Sequence, residues 1–381
     1  MSGREPVPDH TAIPTYAGAG VDEEHEQSAF ARVMRPWLAR TAARSPLVAD
    51  VSGLSSGYFA TLIYLPSGPP LALTMDGVGT KILLARLAGR YQGIGIDCVA
   101  NNVNDLVCVG AVPLALLDYL ATDRIDEAVL EELARGMFVG AEQAGIAIPG
   151  GEIAQIGAML APSDGGGPML DLVGTAIGAL PPTRDGGWRE PVDGSKVMPG
   201  DAVIGLPSSG LHSNGYSLAR HVLFDRLGLS LDHMVPGTGR SLADALLEPT
   251  RVYVRPAEAL WEAGVSPHGL VHVSGGGLLN LGRLAADVSY ELPALPEWPP
   301  VLTLIAEAGR VPVATMYATF NMGIGFCVVV SPHQQEAALE ALRSAGERPL
   351  VIGSVVDRSG RNVVLPHAGL IGSGETFHAD G

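Results

Sequence analysis

One pattern, met three times, constrains this chain more than any other. An apolar run of strand length ends in glycines and small polar residues, and a helical pattern follows. It occurs at LALTMDGVGTK (71–81), AVIGLPSSGLHSNG (202–215) and LVHVSGGG (270–277). A strand, a glycine-rich loop and a helix in that order leave free backbone N–H groups where an anion can sit. Strands alternating with helices in both halves predict α/β or α+β domains.

The length agrees with more than one domain. At about 150 residues each, 381 residues make two. The most turn-rich interior stretch, PPTRDGGWREPVDGSKVMPG (181–200), marks the boundary. With 47% hydrophobic and 17% charged residues the chain is too apolar for disorder. Its net charge of −16 makes it a poor partner for nucleic acid. An anionic substrate therefore needs local compensation from backbone N–H groups, a few cations or a metal. Cys98, Cys108 and Cys327 stand in apolar surroundings without CxxC spacing, which predicts core thiols. No stretch reaches the ~18 apolar residues of a membrane helix, and MSGREPVPDH lacks the apolar core of a signal peptide. A cytoplasmic protein, without membrane contact, is expected.

Residues 1–25 read as a polar arm and 28–43 as a helix. The runs 60–65 and 71–75 flank PSGPP, a hairpin signal. Apolar spacing predicts helices over 94–110 and 126–143, the second capped by Gly145. Residues 113–121, 171–180 and 324–330 read as strands, and Ser331-Pro332 as the cap and first turn of a helix to 345.

Four constellations can carry chemistry. In Asp76-Gly77-Val78-Gly79-Thr80-Lys81 an acid, glycines, a hydroxyl and a cation follow a strand, without Walker A spacing. Asp97 and Asp105, two helical turns apart, share a face with Asn101 and Asn104, and Glu152 follows Gly150-Gly151 at a strand end. Carboxylates converging on loop ends suit Mg²⁺ that bridges nucleotide phosphates. Asp97 as a helix cap and Asp105 on a solvated face are the plainer readings. Ser208-Ser209-Gly210-Leu211-His212-Ser213-Asn214-Gly215 is an anion loop with one titratable group inside it, and His272-Val273-Ser274-Gly275-Gly276-Gly277 is a second such loop. Asn321-Met322-Gly323-Ile324-Gly325 is weaker, because a turn before a strand needs glycine anyway.

Taken together and in this order, TMDGVGTK, GIDCVANNVNDLVCVGAVPLALLDYLAT, GGEIAQIGAM, MPGDAVIGLPSSGLHSNGYSLAR, LLEPTRVYV, HVSGGG and TFNMGIGF resemble aminoimidazole ribonucleotide synthetase, the phosphoribosylformylglycinamidine cyclo-ligase family of purine biosynthesis. YAGAGVD (16–22) is similar to that family's N-terminal signature. The resemblance implies an N-terminal ATP-binding and dimerisation domain (26–181), a C-terminal α/β domain (195–366) and a tail (367–381). It implies a homodimer formed through the N-terminal sheets, ATP with Mg²⁺, and a small ribonucleotide substrate. Its wider superfamily, which includes thiamine-monophosphate kinase and a hydrogenase-maturation dehydratase, uses ATP to phosphorylate a heteroatom. Carried onto this chain, the metal ligands are Asp76, Asp105 and Glu152, with Asp97 weaker. The nucleotide contacts are Asp76, Gly77, Gly79, Thr80, Lys81, Asn104, Asp105, Gly151 and Glu152. The substrate contacts are Ser209, Gly210, His212, Ser213, Asn214, Gly275 and Gly276. The catalytic residues are His212, Asp97 and Lys81, with Lys81 meeting a phosphate.

Departures from the family pattern cluster at Ile153–Gly157, Gly18, Gly53–Tyr58 and Asn101-Asn102. They leave a second reading, a paralogue acting on a different amide or phosphate in secondary metabolism. A non-catalytic scaffold is a third, against which the retained Asp76, Lys81, Asp105, Glu152 and His212 argue.

Overall fold

The computed structural model describes residues 28–34, 36, 40–41, 50–51, 58–160 and 167–380. The arm 1–25, the YAGAGVD signature and Gly53–Gly57 lie outside the described residues. Of the helix expected over 28–43, Phe30–Met34 forms one π turn.

The first sheet contains β1 (Asp50–Val51), β2 (Thr61–Tyr64), β3 (Leu71–Gly77), β4 (Val112–Thr122), β5 (Ala147–Gln155) and β6 (Leu170–Ala179), in the order β1-β2-β3-β6-β4-β5. Among the described residues of this sheet only β4 and β5 pair in parallel, joined by a helical crossover. Helices α1 (Lys81–Ala88), α2 (Gln92–Cys108) and α3 (Glu127–Ala144) belong to this half. Asp126 caps α3 by accepting from the Ala128 and Val129 N–H groups, and Gly145 ends it at φ 69°.

The second half holds α4 (Tyr216–Arg220), α5 (Leu242–Leu246), α6 (Val254–Glu262), α7 (Pro300–Gly309), α8 (Val313–Thr319) and α9 (Gln335–Ser344). Its eight strands are β7 (Ala202–Pro207), β8 (Gly269–His272), β9 (Ser289–Glu291), β10 (Ile324–Val330), β11 (Leu350–Val356), β12 (Val363–Leu365), β13 (Leu370–Ser373) and β14 (Thr376–Ala379). They are ordered β14-β13-β12-β9-β11-β7-β10-β8. Strands β8 and β10 are buried throughout, as their unbroken apolar runs require of strands covered on both faces.

Two expectations are corrected here. The stretch expected as a tail from residue 367 holds β13 and β14, which extend the second sheet by antiparallel pairing as far as Ala379. Ser331 makes no side-chain cap, and a short 3₁₀ turn at Pro332–Gln334 precedes α9. All three cysteines are buried and free, as expected.

Helix α2 positions the site. It packs on β3, β4 and β6 of the first sheet and on β8 and α6 of the second half. It lies so close to α3 that a Cβ at Gly95 would collide with the Leu133 carbonyl, and one at Gly136 with the Gln92 carbonyl. The boundary segment is pinned across the same seam. The Arg189 guanidinium lies 4.0 Å from the Trp261 ring, and Val192 N–H donates to the Val109 carbonyl at 3.1 Å.

Candidate functional site

The site gathers where α2 passes between the two halves. The carboxylate of Asp105, in the last turns of α2, accepts from His272 Nδ1–H at 2.8 Å. His272 ends β8 at the foot of the SGGG loop and is 2% exposed. Asp76, at the end of β3, is held by its neighbours in α2: Asn102 Nδ2 donates to the Asp76 carbonyl at 3.2 Å and Asn101 Nδ2 to the Gly77 carbonyl at 3.4 Å. Asp76 is exposed, yet the protein packed around it strips part of the hydration from its carboxylate. That desolvation, and next the charge of Asp105, push its carboxyl up to about 6, against smaller opposing pulls from His272, a backbone N–H and Arg283.

The two glycine loops share a floor, the turn Asn321–Gly325. Asn321 Nδ2 donates to the Gly210 carbonyl at 2.8 Å, and its Oδ1 accepts from Gly323 N–H at 2.9 Å. Ser208 N–H reaches the Gly323 carbonyl at 2.9 Å and Val273 N–H the Gly325 carbonyl at 3.0 Å. Gly325 must lack a side chain, because a Cβ there would strike His212 and Tyr253.

His212 has a left-handed φ of 62° and is 1% exposed. A non-glycine residue held there is strained, a condition that concentrates at functional loops. Its Nε2 accepts from Ser209 N–H at 3.3 Å, which assigns the ring proton to Nδ1. That Nδ1 is buried without a hydrogen-bond partner among the described residues. Burial first, then His272, Lys81 and Arg251, holds the ring well below the usual imidazole range. His212 is thus a neutral donor.

Several expected contacts point inward instead. Lys81 and Asp97 are both 0% exposed and form an ion pair of 2.7 Å, and Lys81 Nζ also donates to the Glu248 carbonyl at 2.8 Å. In this arrangement the two side chains face each other, and Asp97 lies inside α2 rather than at its N-cap, which is Tyr91. Asn104 links the halves, its Nδ2 donating to the Arg251 carbonyl and its Oδ1 accepting from Tyr253 N–H, both at 2.8 Å. Ser209 Oγ donates to the Pro249 carbonyl. Ser213 Oγ sits 3.0 Å from Thr250 Oγ1. Asn214 stays half-buried, Thr80 is exposed 3.3 Å from the Ser217 hydroxyl, and Gly79 and Gly276 use left-handed φ of 73° and 84°.

The three-carboxylate cage is not assembled within one chain. Asp76, Gly174, Asp118 and Gly151 form one row across the first sheet. The row faces α2, since a Cβ at Gly174 would meet Asn102 and Cys98. Glu152 follows Gly151 and therefore points to the opposite face. No three His, Cys, Asp or Glu side chains among the described residues group closely enough to hold a metal ion. Asp76 and Asp105 remain together.

Four residues of the site lacked an assigned role: His272, Thr250, Asn321 and Arg283. His272 had a signal, standing at a strand end before three glycines. Thr250 stood within LLEPTRVYV, but nothing in that segment pointed to its partner Asp97, 153 positions away.

The family model for the AIR synthase related protein N-terminal domain matches residues 58–180, and that for the C-terminal domain matches 198–366. The phosphoribosylformylglycinamidine cyclo-ligase of Methanothermobacter thermautotrophicus is 44% identical, over 90% of this chain and 95% of that protein. Those of Pyrococcus furiosus and Myxococcus xanthus are each 42% identical, over 91% and 90% of this chain and 96% and 95% of theirs. Among solved structures, thiamine-monophosphate kinase from Stenotrophomonas maltophilia shares the fold at TM-score 0.58 and 23% identity, over 86% of this chain and 93% of that one. Hydrogenase maturation protein HypE in complex with ATP does so at 0.55 and 22%, over 93% and 94%. With both domain models matched and these relatives aligned along nine-tenths of its length, the chain belongs to the phosphoribosylformylglycinamidine cyclo-ligase family, within the AIR synthase related proteins.

Proposed function

We propose that this chain converts formylglycinamidine ribonucleotide and ATP to aminoimidazole ribonucleotide, ADP and phosphate. The observation that carries the proposal is the pairing of Asp105, from the first half, with His272, from the loop of the second, beside Asp76. ATP phosphorylates the formyl amide oxygen. The amidine nitrogen then attacks the activated carbon, the imidazole closes and phosphate leaves. Positioning and charge stabilisation supply most of such catalysis. His212 donates its Nδ1–H to the oxygen on which charge develops. It does so uncharged, in a site dry enough to strengthen that hydrogen bond. Gly210 and Gly276 let the two loops approach the substrate closely.

A divalent cation fits Asp76 and Asp105, whose mutual repulsion it would relieve, while Glu152 of the same chain does not reach it. Bound there, Mg²⁺ supplies charge neutralisation for nucleotide phosphates.

A homodimer fits the first sheet, whose face away from α2 exposes Met75 (70%), Leu117 (51%) and Tyr119 (43%). Large apolar side chains exposed together on one sheet face favour an interaction surface there. No helix among the described residues is long and apolar enough to cross a membrane.

The test is ADP release by the purified chain supplied with formylglycinamidine ribonucleotide, ATP and Mg²⁺. Stoichiometric ADP and aminoimidazole ribonucleotide support the reading. ADP release that this nucleotide does not stimulate overturns it.

A further inference from the structure

Ser213 lies in a loop whose chemistry suggests phosphate binding, yet its hydroxyl is wired to something else. The wire starts at Lys81, whose ammonium pairs with the Asp97 carboxylate at 2.7 Å with both side chains fully buried. A carboxylate in such a pair only accepts. Asp97 Oδ1 takes two hydrogen bonds of 2.7 Å from one residue, from Thr250 N–H and from Thr250 Oγ1–H. The single hydroxyl hydrogen of Thr250 is therefore spent on Asp97. The contact of 3.0 Å between Ser213 Oγ and Thr250 Oγ1 then has one direction open to it, with Ser213 the donor. Each link is polarised by the ion pair at its root.

We infer that Ser213 is an obligate acceptor towards the substrate: its hydrogen is locked inward by the Lys81–Asp97–Thr250 chain, so its outward lone pair selects an N–H donor and rejects a phosphate oxygen. Ser213 is half-buried, follows His212 directly and retains solvent access. Resting on the proposed reaction, the N–H donor it accepts from is the substrate's amidine, a group that is cationic when protonated. Ser213 and His212 then divide the loop's work. The hydroxyl accepts from the nitrogen that attacks, and the ring donates to the oxygen that leaves. Thr250 is a positioning residue that acts through Ser213.

Two measurements test this. A hydrogen bond to a charged group is worth about 10- to 100-fold in binding. Ser213→Ala is therefore expected to raise KM for formylglycinamidine ribonucleotide by about that factor, with the ATP KM within about twofold. Thr250→Val, which frees the Ser213 hydrogen, gives the same selective rise, and Thr250→Ser restores normal values. An ATP KM that rises in step, nucleotide KM values left unchanged, or Thr250→Ser as impaired as Thr250→Val overturns the assignment. Neutron diffraction from deuterated crystals reads the hydrogen directly and independently of turnover. Deuterium between Ser213 Oγ and Thr250 Oγ1, bonded to Ser213, is expected. Deuterium pointing away from Thr250 overturns the inference whatever reaction the chain catalyses.

Discussion

At the scale of single residues, two groups carry opposite pH signatures. Burial keeps His212 neutral, so the unfolded chain takes up a proton there below about pH 6.5 that the folded chain refuses. Stability at this residue falls as the pH drops through that value. Asp76 does the reverse. Its carboxyl, raised to about 6, binds a proton more tightly folded than unfolded, so ionising it between about pH 4 and 6 costs stability. Without metal, Asp76→Asn is expected to melt with the wild type near pH 4 and above it at pH 7–8. Adding Mg²⁺ should raise only the wild-type melting temperature. An equal Mg²⁺ shift in both proteins removes Asp76 from the cation site. For His212, Ala should lower kcat by about 10²- to 10³-fold with little change in ATP KM, as loss of one preorganised donor does. Asn should recover part of that loss through its amide N–H. Steady-state kinetics beside a melting curve decides, and full activity in the folded Ala variant would make His212 a packing residue.

At the scale of elements, the α2–α3 seam bears the most consequence. Gly136→Ala should cost about 1–3 kcal/mol, because the added methyl has a backbone carbonyl rather than a side chain to push aside. A thermal melt unchanged from wild type would mean that the helices part freely. Much at this scale was legible beforehand. The C-terminal end of α3 follows from Gly145, and the hairpin of β2 and β3 from its Pro-Gly turn. The hidden parts are the ones made by distant partners. Gly95 and Gly136 lie in different helices, and neither marks its helix as a close-packing face. β14 buries one residue of four, Phe377, and becomes a strand only because β13 is there to pair with it. The site follows the same rule. Its loops were legible as strand–glycine–helix units. The destination of Lys81 was not, since a lysine after Gly-Thr reads alike whether it faces a phosphate or a buried aspartate.

At the scale of the whole molecule, the proposed dimer rests on the open face of the first sheet. Sedimentation or light scattering at micromolar concentration should find a dimer, and Leu117→Arg should yield monomers that keep the fold. A wild-type monomer would leave the face without its expected cover. Within the protomer, α2 is shared by both sheets, so neither half has a finished core alone.

The closing hairpin gives this arrangement a direction in time. Domains emerging from a ribosome fold from the N-terminal end. Here the outermost strand of the second sheet, β14, is translated after every other described strand, and β13, which it pairs with, comes just before it. The half that carries both glycine loops therefore finishes its sheet only after both loops have been made. A chain that stopped before Leu370 would lose the sheet's outer edge while every motif of the candidate site was already made.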